Sequence, residues 1–267
     1  MKKSLLYLSV LTSIFLVSCD GYNKLLKSSN YELKLERANQ YYQKANYIKA
    51  TGLYEELIPV YKGTDKAEEI YYYYSYCNYY QGDYALSQFH FKNYYRNFPA
   101  GKHAEECLFM NAYCYYLNSP AYRLDQTDTK NAMAELQNFI DQYPESSRID
   151  SCNKIYDLLR GKLEKKEYDI TLQYFHISDY KAAIANSKNF MKEFPESPKI
   201  DELLYVTINS YYLLAVNSLE SKKLERLNLA MESYLKLLDL YPKSNFLSKA
   251  ESIYESCQKM KTNINKL

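Results

Sequence analysis

Ala132-Met133-Ala134-Glu135-Leu136-Gln137-Asn138-Phe139-Ile140-Asp141-Gln142-Tyr143-Pro144 is the stretch that decides how this chain folds. A small residue stands at Ala132, a larger apolar one a helical turn later at Leu136, and an aromatic followed by proline ends the run. Proline cannot continue a helix, and the aromatic before it can cap the apolar face, so Tyr143-Pro144 marks the end of a helical hairpin. The same punctuation recurs at Phe98-Pro99, Phe194-Pro195 and Tyr241-Pro242, and Tyr61-Lys62 holds the equivalent place earlier. Five ends predict five hairpins.

Counting back from each end, small residues fall at Ala50, Ser87, Ala132, Ala183 and Ala230. Four positions later stand Tyr54, Phe91, Leu136 and Tyr234, with Ser187 in the fourth case. Small then large at one helical turn lets the second helix of a hairpin approach the first and fill the gap. The pattern resembles the tetratricopeptide repeat, a helical hairpin with a period of about 34 residues. Ala45-Asn46-Tyr47, Gly82-Asp83-Tyr84 and Ser178-Asp179-Tyr180 supply the turns between paired helices. Two repeats carry about eight extra residues at that turn, over 118–128 and 217–223. From Ser147 to about His176 there is no proline, and Ile149, Cys152, Tyr156, Leu159, Leu163, Ile170 and Tyr174 keep near-helical spacing. That predicts one helix of about 30 residues, roughly 45 Å long, which carries Gly161. Residues 244–260 read as a cap on the exposed edge of the last repeat, which a stack of repeats requires. The expected fold class is all-α: a superhelical solenoid of five tetratricopeptide-type hairpins, a long helix between repeats three and four, and a C-terminal capping helix.

The N-terminus reads as a targeting segment. Lys2 and Lys3 precede an apolar run from Leu5 to Val17, too short to span a bilayer comfortably, and polar residues follow it. Leu16-Val17-Ser18-Cys19 resembles a lipobox, the bacterial motif whose cysteine is lipidated and becomes the new N-terminus. Cys19 is therefore the expected lipidation site, and several acyl chains are needed there because one holds a protein to a membrane only marginally. Asp20 behind it bears on which membrane retains the protein. The expected organisation is a signal peptide at 1–18 and a lipidated N-terminus with linker at 19–30. Repeats one to three follow at 31–145, then the long helix, repeats four and five and the cap at 146–262.

Composition closes off several function classes. Lys and Arg number 34 against 32 Asp and Glu, so no basic surplus argues for nucleic acid. Cys77, Cys107, Cys114, Cys152 and Cys257 remain beside Cys19. They read as small buried hydrophobes, an odd set in an oxidising compartment. The three histidines, His90, His103 and His176, fall on three predicted helices without metal-binding spacing, so no zinc site is expected. Six glycines form no phosphate-cradling loop, and no nucleophile elbow is present. Neither catalysis nor a cofactor, beyond covalent lipid on Cys19, is expected.

Thirty-three tyrosines and no tryptophan are the composition's strangest feature. With Glu32, Glu69 and Glu106 second in their repeats, Leu35, Tyr72 and Phe109 take the fifth position, and Asn39, Tyr76 and Tyr113 the ninth. Tyr42, Tyr79 and Tyr116 take the twelfth. Those positions make one stripe on the first helix, the stripe that lines the concave groove in tetratricopeptide arrays. One reading makes repeats one to three an aromatic, mildly acidic peptide groove; the other makes the same tyrosines inter-repeat packing with hydroxyls at the rim. Repeat four breaks the acidic rung with Lys165 but keeps Tyr168 and Phe175. Tyr71-Tyr72-Tyr73-Tyr74 points in all directions from one helix, so at least half of it is packing on either reading.

The segment Phe98-Pro99-Ala100-Gly101-Lys102-His103-Ala104-Glu105-Glu106-Cys107-Leu108-Phe109-Met110-Asn111-Ala112-Tyr113-Cys114 resembles the BamD family, lipoproteins of the outer-membrane β-barrel assembly machinery. So do Leu124-Asp125-Gln126-Thr127-Asp128-Thr129-Lys130-Asn131-Ala132, Tyr143-Pro144-Glu145-Ser146, and the charged run Lys162-Leu163-Glu164-Lys165-Lys166-Glu167-Tyr168. The resemblance implies an outer-membrane protein, lipid-anchored and mostly facing the periplasm. It implies two partners: a barrel insertase with POTRA domains, docked on the C-terminal repeats, and unfolded barrel precursors, presented to the N-terminal ones. A tetratricopeptide adaptor for wall synthesis or division stands as an alternative. So does a glycan-uptake lipoprotein, which the absence of tryptophan disfavours.

Overall fold

The computed structural model describes residues 21–264. The signal peptide and Cys19 lie outside the described residues. Among those described there is no strand, and eleven helices follow a short helical segment at 21–27. They are α1 (Tyr31–Gln43), α2 (Tyr47–Val60), α3 (Lys66–Tyr80), α4 (Tyr84–Asn97), α5 (Ala104–Asn118), α6 (Thr127–Gln142), α7 (Ile149–His176), α8 (Tyr180–Glu193), α9 (Ile200–Val216), α10 (Glu220–Leu240) and α11 (Leu247–Ile264). Paired in order, α1 to α10 make five hairpins, and α11 stands after the fifth.

The recurring proline sets each hairpin's end through the residue before it. Steric conflict with the proline ring keeps that residue out of helical conformation. Phe98, Tyr143, Phe194 and Tyr241 accordingly share one geometry, with φ between −132° and −124° and ψ of 60–63°. Each still donates its N–H to the carbonyl four residues back. Tyr61, followed by Lys62, takes a different conformation (φ −94°, ψ 8°), and Gly63 at φ +80° redirects the chain there instead.

The turns inside the hairpins use a second device. Ala45, Gly82 and Ser178 sit in the left-handed region at φ 54°, 79° and 63°. The next residue in each case, Asn46, Asp83 or Asp179, accepts a backbone N–H of the new helix on its side chain. That is the preferred N-cap chemistry. At the closest approach of the paired helices, Ala50, Ser87, Ala132 and Ala183 are fully buried, as are Tyr54, Phe91 and Leu136 beside them. Added methylenes at such a contact cost roughly 1–3 kcal/mol.

Two segments carry helix that the sequence reading did not assign. Residues 21–27, within the segment read as linker, are helical and packed. Leu25 joins the first core cluster, and the buried Lys34 ammonium donates to Leu26 O at 2.7 Å and pairs with Glu56. The second interrupted turn is mostly not a loop: α10 starts at Glu220 and runs 21 residues, so the extra residues extend a helix. The long helix α7 has 28 residues, close to the expected length.

The described residues fall into two compact units. One holds those up to Ala121 together with Asp125–Leu159; the other holds Tyr122–Leu124 and those from Arg160 onward. In the second unit, Lys165 lies over the Tyr122 ring at 4.7 Å and Lys166 donates to Leu124 O at 2.6 Å, which draws these three loop residues onto α7. Also in that unit, α11 buries Ala250 and Cys257 and sets Tyr254 against Tyr234 of α10 at 4.7 Å. Among the described residues no helix is long and apolar enough to cross a membrane.

Candidate functional site

All three acidic rungs are on first helices of the first unit, but their surroundings differ. Glu32 of α1 is exposed, takes the Lys66 ammonium at 2.8 and 2.9 Å, and accepts from the Tyr61 hydroxyl at 3.0 Å. Those two donors hold its carboxyl below the usual range. Glu106 of α5 accepts from Tyr76 at 2.6 Å and from Tyr72 at 3.1 Å, with Arg148 at 3.9 Å and His103 at 3.8 Å. Burial first, then this carboxylate, push both phenol pKa values up. Bonds from Lys66 to Glu32, Tyr72 to Glu106 and Tyr168 to Glu202 each span 34 positions, one repeat, so these carboxylates tie neighbouring hairpins together.

Glu69 of α3 is different. It is exposed, and among the described residues no lysine or arginine lies within 4 Å of it. It lines two cavities. One, of about 170 Å³, is walled by Asn39, Tyr42, Gln43, Tyr54 and Tyr73. The other, of about 230 Å³, is formed with Asp65, Glu68, Lys102 and His103. The Tyr42 and Tyr73 ring centroids are 4.7 Å apart, and Tyr54 is held by its hydroxyl on Asn39 Oδ1 at 2.6 Å.

The remaining stripe residues divide by burial. Tyr76 and Phe109 are each only 8% exposed and belong to the core cluster of repeats two and three. Tyr72 is half-buried, stacked on His103 at 3.9 Å. Tyr79, Tyr113 and Tyr116 are half-buried, Tyr79 beside Tyr84 at 5.6 Å and Tyr113 beside Tyr116 at 5.6 Å. The structure thus brings Tyr42 and Glu69 together at one cavity and gives Tyr76 and Phe109 to the packed wall behind the stripe.

Sequence reasoning missed two features. The serine two residues after the proline donates to the acid at position one of its own repeat: Ser146 to Glu105 at 2.5 Å, Ser197 to Glu164 at 2.5 Å, Ser244 to Asp201 at 2.7 Å. Each serine oxygen also accepts the N–H two residues on, at 3.1–3.2 Å. In repeat two Gly101 fills that place, and a Cβ there would stand 2.6 Å from Glu68 Oε1; Tyr94 donates to Glu68 instead. The regular Pro-x-Ser spacing carries this signal. The second feature is a cavity of about 540 Å³ in the second unit, where Tyr122 and Arg123 meet Lys166, Asp169, Gln173 and His176 of α7. An interrupted repeat gives no register from which to predict it.

The five remaining cysteines are free and fully buried. Burial raises their thiols, Cys77 and Cys114 to about 12 and Cys152 and Cys257 to about 11. No group of three metal-ligating side chains occurs among the described residues.

Five helical hairpins, with repeat-spaced hydrogen bonds between neighbours inside each unit, define a tetratricopeptide-type protein. The chain belongs to the YfiO family of outer membrane lipoproteins, whose model matches residues 30–227 and 174–260. It is 24% identical over 213 residues to the outer membrane protein assembly factor BamD of Buchnera aphidicola subsp. Acyrthosiphon pisum, covering 75% of this chain and 85% of that relative. It is 23% identical over 126 residues to the protein of the same name from Caulobacter vibrioides, covering 47% and 41%. Among solved structures it is similar to the TPR2AB-domain:pHSP90-complex of yeast Sti1, at 10% identity and a TM-score of 0.40 over 86% of this chain and 99% of that one. The repeat assignment here rests on the hairpins themselves.

Proposed function

We propose that this protein is a lipid-anchored scaffold of outer-membrane protein assembly, held to the membrane through Cys19 and facing mostly the periplasm. It works by binding, not by catalysis. Repeats one to three receive unfolded barrel precursors along the tyrosine and glutamate stripe, and the repeats beyond α7 dock on the POTRA domains of the barrel insertase. The observation that carries this reading is the family match along residues 30–260, together with relatives that are assembly factors by name. The half-buried tyrosines beside Glu69 support it, since rings with one wet edge suit an extended, aromatic-ended strand.

Purification from membranes tests it. A large POTRA-bearing barrel protein should accompany the tagged chain, and depletion should lower many outer-membrane barrels together. A clean preparation without that partner, with cells chaining on depletion, would favour an adaptor of wall synthesis or division. Replacement of Cys19 by alanine should release the protein from membranes.

A further inference from the structure

We propose that the cavity between α1 and α3 is a subsite for a lysine or arginine side chain of the bound peptide, with Glu69 as its counter-charge. This rests on the reading of repeats one to three as a peptide-binding surface and specifies what one part of it selects.

Three carboxylates that the repeat pattern makes equivalent differ in their surroundings. Glu32 is neutralised by Lys66, and Glu106 is occupied by two phenols with Arg148 and His103 nearby. Of the three, Glu69 alone has no described cation within 4 Å; its partner is the neutral Tyr73 hydroxyl, and it lines both cavities described above. The first cavity offers the faces and edges of Tyr42 and Tyr73, two amide side chains, Asn39 and Gln43, and no positive group. The second adds Asp65 and Glu68 on the same carboxylate, against Lys102 and His103.

A side chain that satisfies such walls has an apolar stem for the rings and a positive head for the carboxylate. Lysine and arginine have both, and a cation over a tyrosine face gains further attraction from the ring quadrupole. An acidic or purely apolar side chain would leave Glu69 with the neutral Tyr73 hydroxyl and no positive counter-charge. The tyrosines at Lys49 and Lys66, each with an ammonium within about 5.5 Å of its ring centroid, illustrate the geometry within this chain.

The test uses the purified full-length protein in detergent. Its probe is a fluorescein-labelled extended peptide of alternating polar and apolar residues ending in phenylalanine, with lysine or norleucine scanned through the polar positions. Anisotropy titration should find at least one position where lysine binds about three- to tenfold tighter than norleucine, the scale of one partly desolvated cation. Glu69→Gln should remove that preference, and Glu69→Lys should invert it. Salt at about 0.5 M should shrink it. Equal binding of both peptides at every position, or a lysine preference that survives Glu69→Gln, overturns the subsite and leaves the groove standing. Absence of binding by either peptide overturns both.

Discussion

The phenolic oxygen of Tyr76 stands 2.6 Å from Oε1 of Glu106, so the ninth position of one repeat bonds to the second position of the next. Tyr76 is nearly buried, and Tyr72 donates to the other carboxylate oxygen. Hydrogen bonds to a charged group contribute about 1.5–3 kcal/mol. Tyr76→Phe should therefore lower stability by about 1–2 kcal/mol, Tyr72 and Arg148 offsetting part of the loss. Tyr72→Phe should cost less, because its bond is longer and its ring more exposed. Urea midpoints of the two variants check the order, and equal midpoints would mean that Glu106 is satisfied by water.

His90 of α4 predicts an acid sensitivity. Its Nδ1 is 3.3 Å from the Tyr71 hydroxyl, the Tyr74 ring stands at 4.5 Å, and Nε2 is buried with no hydrogen-bond partner. Burial lowers its pKa from 6.5 to about 4. Between those values the unfolded chain takes up a proton that the folded chain refuses, so stability falls as pH falls through that window. The loss is on the order of 2–3 kcal/mol. His90→Phe should flatten the dependence relative to wild type from pH about 6.5 down to about 4. Parallel stability curves for the two proteins would contradict it.

The serine brace predicts a local cost. Ser197 is buried, and its hydroxyl is the donor to Glu164 while accepting the Lys199 N–H. Ser197→Ala strands both groups and should cost about 1–2 kcal/mol. Hydrogen exchange should report faster opening around the α8–α9 junction, with repeats one to three unchanged.

Two backbone positions should gain stability when changed in opposite senses. Ala45 sits at φ 54°, where a Cβ costs roughly 1–2 kcal/mol, so Ala45→Gly should stabilise by up to about 1 kcal/mol after the entropy of glycine is counted. Gly161 lies inside α7, exposed, and a Cβ there would meet nothing within 4 Å. Gly161→Ala should stabilise by about 0.5–1 kcal/mol. A rise in thermal midpoint for both checks the argument.

The hairpins were legible because their signals are local. The proline behind each closing aromatic disfavours helix at that aromatic, although Pro59 stands inside α2, and a small residue at the crossing is demanded by two helices adjacent in sequence. The N-terminal helix at 21–27 was not legible, since it is too short for a period and owes its place to Leu25 and to the Lys34 ammonium on Leu26 O. The α10 extension was hidden because Glu220, Ser221, Lys222 and Lys223 are as polar as a loop and join the helix on a solvated face. For the site, repeat register placed Glu32, Glu69 and Glu106 as equivalents. What separates them, Lys66 one repeat on from Glu32 and Arg148 just past the hairpin of Glu106, is tertiary, and no spacing within a single helix encodes it.

Tyr79 and Tyr116 test whether the stripe binds or only packs. Both hold the twelfth position and both are half-buried, unlike Tyr76 and Phe109 behind them. Removing a half-exposed ring forfeits part of its burial, so each alanine variant should stay folded with a modestly lowered thermal midpoint. If the stripe is a recognition surface, the same ring supplies contact area to a peptide, and a central aromatic anchor contributes at least about 2 kcal/mol to binding. Tyr79→Ala combined with Tyr116→Ala should then weaken an aromatic-ended peptide by more than tenfold while circular dichroism stays helical. Unchanged affinity in a folded double variant would assign these rings to inter-repeat packing alone and move the search for the precursor surface elsewhere.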